Sequence, residues 1–141
     1  MTATRSLLAL FVFSIIGTAG ELLLMKHYES VWMIVPLALF GLALVLLSVN
    51  GAVPASVWTL VFRALMLLFI LSGGVGTLLH YRGKSEFARE RDRTLAGWAL
   101  ARETVFKGAN PPLLAPGAMI ALGLLGLIWA GTATVKPKGE S

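Results

Sequence analysis

Residues 37–47 read LALFGLALVLL, eleven consecutive positions without a charged or hydrogen-bonding side chain. A helix in a water-soluble bundle keeps a polar stripe toward solvent, and a half-exposed strand alternates polar with apolar. This stretch does neither, and hydrocarbon is the solvent that suits a surface apolar all round. A bilayer core about 30 Å thick requires about 20 apolar residues per helix. Working outward from 37–47, four stretches meet or approach that length: 6–25, 31–47, 57–79 and 113–135. Glu21 comes late in the first and Arg63 early in the third, and no span has a charge at its middle. The expected fold is all-α, a polytopic membrane protein with four transmembrane helices in a single membrane domain over 1–141.

Composition agrees. Of 141 residues, 57% are hydrophobic and 13% charged, against roughly a quarter charged in soluble domains, and the mean hydropathy is +0.81. The absence of cysteine excludes disulfides, thiolate nucleophiles, Fe–S clusters and Cys-ligated zinc. A cleaved signal peptide is a poor reading of the first span, because residues 22–25 carry the apolar run past the small-residue stretch at 18–20.

Residues 26–30 (KHYES) and 48–56 (SVNGAVPAS) read as tight turns, the second punctuated by Asn50-Gly51 and Pro54. Residues 81–112 read as the one sizeable extramembrane loop. Tyr28, Trp32 and Tyr81 fall at one interface and Trp58 and Trp129 near the other, as an aromatic belt would place them. The face with both termini carries four cations (Arg5, Arg63, Lys136, Lys138). The loop face carries eight: Lys26, Arg82, Lys84, Arg89, Arg91, Arg93, Arg102 and Lys107. The positive-inside rule puts the loop face in the cytoplasm, with a bacterial inner membrane as the expected location. A net charge of +5 suits an anionic membrane, and without a basic domain interleaved with aromatics nucleic acid is not an expected partner.

Fifteen glycines are present, many inside the spans. Small residues let membrane helices approach and pack, so Gly17, Gly20, Ser72, Gly73, Gly76, Gly123 and Gly126 are the expected packing positions. Gly20 and Gly76 lie at similar depth, which predicts close contact between the first and third spans. Arg63 is expected to snorkel to its interface. Glu21, about 6 Å inside the opposite interface, is expected to face the bundle, because an ionised carboxylate is costly in lipid.

His27 and His80 each end a span on the loop face, with Glu21, Glu29 and Glu86 near in sequence. Imidazole with carboxylate is an ordinary divalent-metal set, so these five are the candidate metal residues and the two histidines the candidate haem ligands. No HExxH or Glu-x-x-His spacing supports them, and no cofactor is predicted.

Within the loop, residues 82–91 (RGKSEFARER) are a mixed-charge stretch, after which Thr94 can cap an amphipathic helix over 95–107. Leu95, Trp98, Ala99, Val105 and Phe106 share its apolar face, suited to the bilayer interface or to a partner subunit.

No catalytic motif is present: there is no nucleophile elbow, and Gly73-Gly-Val-Gly76 lies within an apolar helix and not after a strand. A compact drug exporter would want a carboxylate in the middle of its first helix, and a quinone–disulfide redox protein would need cysteines, so neither type fits. The functional expectation is a non-enzymatic accessory or scaffolding subunit of a larger membrane assembly, bioenergetic ones included, with lipid and other membrane subunits or further copies of itself as partners. The alternatives are a metal- or haem-binding protein using His27 and His80, and a small transporter or channel using Glu21.

Overall fold

The computed structural model describes residues 3–24, 31–106 and 114–134. They form five helices and no strand: α1 (Ala3–Leu24), α2 (Val31–Ser48), α3 (Ala55–Arg91), α4 (Gly97–Phe106) and α5 (Leu114–Thr134). Three of them, α1, α3 and α5, are long and apolar enough to cross a membrane. The apolar α2 has 18 residues, about 27 Å of helix.

The expected third span, 57–79, is part of a longer element. α3 runs unbroken for 37 residues, about 55 Å. Residues 81–91, read from sequence as loop, are its last three turns. Charge density suggested a loop there, but nothing in 81–91 breaks a helix. Proline is absent, and Arg89 and Arg91 stand in the final turn, where cations oppose the negative end of the dipole.

The helices pack through two glycine contacts between α3 and α5. A Cβ added at Gly73 would lie 2.6 Å from the Pro116 carbonyl oxygen, 2.6 Å from Ile120 Cγ1 and 3.1 Å from Ile120 N. One added at Gly123 would lie 2.7 Å from the Met66 carbonyl oxygen, 2.7 Å from Ile70 Cγ1 and 3.2 Å from Ile70 N. The two environments repeat, since each helix presents a residue, a second four positions on and a glycine three further. Such reciprocity requires antiparallel helices related by a local pseudo-twofold. Gly126 adds a third contact, against the Met66 thioether and Phe11 of α1.

The expected glycine contact between α1 and α3 is absent. Nothing lies within 4 Å of a Cβ placed at Gly17 or Gly20, and Gly76 meets Pro116 of α5 at 3.4 Å. Chain order put the first and third spans at one depth, but α5 occupies the small-residue face of α3, and α1 reaches α3 through side chains such as Phe11 against Phe62.

The core near the chain termini is aromatic. Trp58 stacks on Phe62 with ring centroids 4.9 Å apart, and Trp129 sets an edge-to-face contact against each, at 5.8 and 5.2 Å. Such pairs add about 0.5–1.5 kcal/mol each beyond area burial. The Trp58 indole N–H donates to the Leu46 carbonyl of α2 at 2.8 Å, and Phe40 of α2 meets Phe69. Trp58 and Trp129, read from sequence as interfacial anchors, are therefore core residues, 6% and 5% exposed. Their depth along the helix suits an interface, but their direction is set by packing.

Gly73→Ala and Gly123→Ala are each expected to destabilise the bundle by about 1–3 kcal/mol, since a backbone carbonyl cannot yield to the new methyl. Gly17→Ala and Gly20→Ala should stay within about 0.5 kcal/mol of wild type. Unfolding midpoints in SDS titrations from dodecyl maltoside micelles measure the difference. Equal losses in both pairs would dismiss the α3–α5 seam as the organising contact.

Candidate functional site

Two features stand out: a cavity in the half of the bundle away from the termini, and the hairpin that α3 and α4 make beyond it.

The cavity has a volume of about 540 Å³ and is open on one side. Thr18 and Leu22 of α1, the first turns of α2 from Trp32 to Leu39, α3 from Leu68 to His80, and Pro116 and Met119 of α5 line it. The lining is mostly hydrocarbon. Ser72, Gly76 and Pro116 withdraw side-chain volume where four helices meet, which leaves the space. Pro36 lacks an N–H, so it returns no helical hydrogen bond to the Trp32 carbonyl one turn earlier; both residues line the cavity.

Beyond His80 the chain continues as helix to Arg91 and turns at Asp92. There the Asp92 carboxylate accepts hydrogen bonds from the Thr94 hydroxyl (2.6 Å) and the Thr94 backbone N–H (2.9 Å). This Asx turn takes the place of the expected Thr94 helix cap, because the helix starts at Gly97 and its cap position falls on Ala96. The helix then begins at Gly97, whose φ of +51° lies in the left-handed region that glycine enters without steric cost, and it ends at Phe106 among the described residues. The start thus moves from 95 to 97, and Lys107 lies outside the described residues.

α4 packs back on the end of α3, with Leu100 and Thr104 buried and Ala88 buried opposite. The Thr104 hydroxyl donates to the Leu100 carbonyl at 2.8 Å, so its burial leaves no orphan donor. Arg91 pairs with Glu103 at 2.9 Å, an exposed contact worth under about 1 kcal/mol. Lys84 Nζ, two turns before Arg91, is shielded from solvent and has no hydrogen-bond partner among the described residues. Of the five residues expected on the apolar face of this helix, Trp98, Ala99 and Phe106 are exposed, and Leu95 and Val105 are half-buried. Sequence reading missed Leu100 and Thr104 as the docking pair. Their i, i+4 spacing is the signal, obscured because a threonine reads as polar until its hydroxyl bonds its own helix.

The described charged candidates, Glu21, His80 and Glu86, do not come together. His80 lies at the cavity's end on α3; Glu86 is exposed on the α3 extension. Glu21, expected to face the bundle, is exposed, while its neighbour Leu22 is buried. One residue of helical rotation turns the carboxylate outward and gives the inward direction to leucine. His27 and Glu29 lie outside the described residues, and among the described residues no three His, Asp or Glu side chains come together. Arg63 is exposed on α3. The chain matches no protein-family model, no curated protein and no solved structure.

Hydrogen bonds from the Thr94 hydroxyl and then its backbone N–H hold the Asp92 carboxyl below its ordinary value of 3.8. A depressed folded value stabilises the turn above that ordinary value, and the stabilisation is lost as pH falls through the folded one. Protection factors of the Leu95 and Leu100 amides, corrected for intrinsic exchange, should therefore drop between about pH 6 and about pH 2. Asp92→Asn should show no such drop; an equal drop in this variant rejects the Asx turn as its cause.

Proposed function

We propose that this chain is a four-span integral membrane protein acting as a non-catalytic accessory or scaffolding subunit of a larger membrane assembly. In this reading α1, α2, the first 25 residues of α3, and α5 cross the bilayer, α2 being the shortest span. The α3–α4 hairpin stands outside the bilayer on the cytoplasmic side of a bacterial inner membrane, the side given by eight cations against four.

The observation that carries the reading is the outward face of α4. Trp98, Arg102 and Phe106 recur at i, i+4 spacing and are all exposed, the two aromatics to 77% and 74%. At about 100° per residue this stripe points directly away from Leu100 and Thr104, which anchor the helix to α3. Tryptophan, arginine and phenylalanine are the residues enriched where one protein docks on another. A large apolar side chain held in water on a short rigid helix is otherwise unfavourable. The partner that fits is a membrane subunit whose extramembrane part offers an apolar pocket for Trp98 and a carboxylate for Arg102.

In mild detergent, native electrophoresis should show the wild type within an assembly well above the 15.1 kDa of the chain. Trp98→Glu should release it while the SDS-unfolding midpoint stays unchanged. A wild type that migrates alone removes the accessory role. For orientation, a membrane-impermeant thiol reagent on intact cells should label Ser141→Cys and spare Ser85→Cys; the opposite pattern inverts the topology and leaves the span count standing.

A further inference from the structure

We propose that the cavity between α1, α2, α3 and α5 binds the hydrocarbon chain of an anionic membrane amphiphile, whose acidic head sits at the His80 end within reach of Lys84. The inference goes beyond the accessory role and rests only on the bundle lying in a bilayer.

The shape of the space argues for a chain. Its lining follows α3 from Leu68 to His80, about 18 Å at 1.5 Å per residue, or more than half of a hydrocarbon core. Spread over that length, about 540 Å³ leaves a mean cross-section of about 30 Å², enough for one chain when carbon atoms pack about 4 Å apart. The volume also lies within the roughly 300–1,000 Å³ of small-molecule sites.

The distribution of polarity argues for an amphiphile with one orientation. The inner end is bounded by Leu39, Leu68 and Met119, whereas the outer end is lined by His80 and Trp32, and Pro36 returns no helical hydrogen bond to the Trp32 carbonyl. The sign of the head follows from Lys84. It stands one turn beyond His80 on the same side of α3, and its ammonium is shielded from solvent without a hydrogen-bond partner among the described residues. Burying an unpaired charge is costly. A carboxylate or phosphate one turn away offsets that cost after a rotamer change of a flexible side chain.

The test uses the full chain in phosphatidylcholine nanodiscs containing a trace of a diazirine-bearing C16 fatty acid, with labelled positions mapped by mass spectrometry. Cavity positions such as Val75 and Met119 should label about tenfold more than the outward-facing Phe13 and Ile128, a preference of about 1.4 kcal/mol. Excess unlabelled palmitate should abolish that surplus. Val75→Trp, which fills the space from a position 44% exposed, should reduce cavity labelling to the outward level. The alcohol analogue of the probe should lose most of the preference, as should the acid on Lys84→Gln. Organic extracts of detergent-purified protein then identify the source, a free acid or an anionic phospholipid, and either supports the assignment.

Equal labelling of cavity and outward positions means bulk lipid only and overturns the proposal, as do unsaturable labelling and recovery of zwitterionic lipid alone. Unchanged labelling in a folded, monodisperse Val75→Trp variant overturns it as well. An alcohol that labels as well as the acid removes the anionic head. Absence of label at Phe13 and Ile128 too would show the bundle outside the bilayer, a failure of the membrane reading distinguishable from failure of the site.

Discussion

The reciprocal seating of Gly73 against Pro116 and Ile120, and of Gly123 against Met66 and Ile70, is the constraint on which the rest of the molecule depends. In lipid there is no hydrophobic gain from pairing one apolar helix with another, so association comes from close van der Waals contact. A glycine at each half of the pseudo-twofold lets backbone meet backbone. With α3 and α5 joined this way, Trp129 reaches Trp58 and Phe62, and Phe11 of α1 fits against Gly126 and Phe62. α2 is held through the Trp58 indole on the Leu46 carbonyl and the Phe40–Phe69 contact.

Neighbouring small residues on the same helices leave the half of the bundle toward His80 underfilled. Near the termini, four aromatic rings occupy the centre. Toward His80 the facing positions are Ser72, Gly76 and Pro116, and among the described residues no large side chain replaces the missing volume. Close packing and cavity thus have one origin in the distribution of small residues along α3 and α5.

Continuity of α3 joins the bundle to the hairpin, with no break between Ala55 and Arg91. Burial of Leu100, Thr104 and Ala88 and the Asp92 turn hold α4 to the end of that helix. The cavity end at His80 and the outward stripe of α4 consequently ride on the same helix.

Sequence alone determined that the chain is helical, apolar enough for membrane spans, and free of compact metal or catalytic motifs, because these follow from composition and local spacing. The all-round apolarity of 37–47 and the turn at Asn50-Gly51 depend on no distant residue. The amphipathic segment after Thr94 was legible to within two residues, since its periodicity is local. Tertiary structure decided what pairs with what. Gly76 faces Pro116 and not Gly20, Trp58 and Trp129 turn inward, Glu21 turns outward, and 81–91 continue a helix instead of opening a loop. Each of these depends on rotation about a helix axis, and helices apolar on every side carry almost no periodic signal of which side faces in. In water the polar stripe supplies that signal; in lipid it passes to the shape of small and large residues, which becomes readable only when the neighbouring helix is in place.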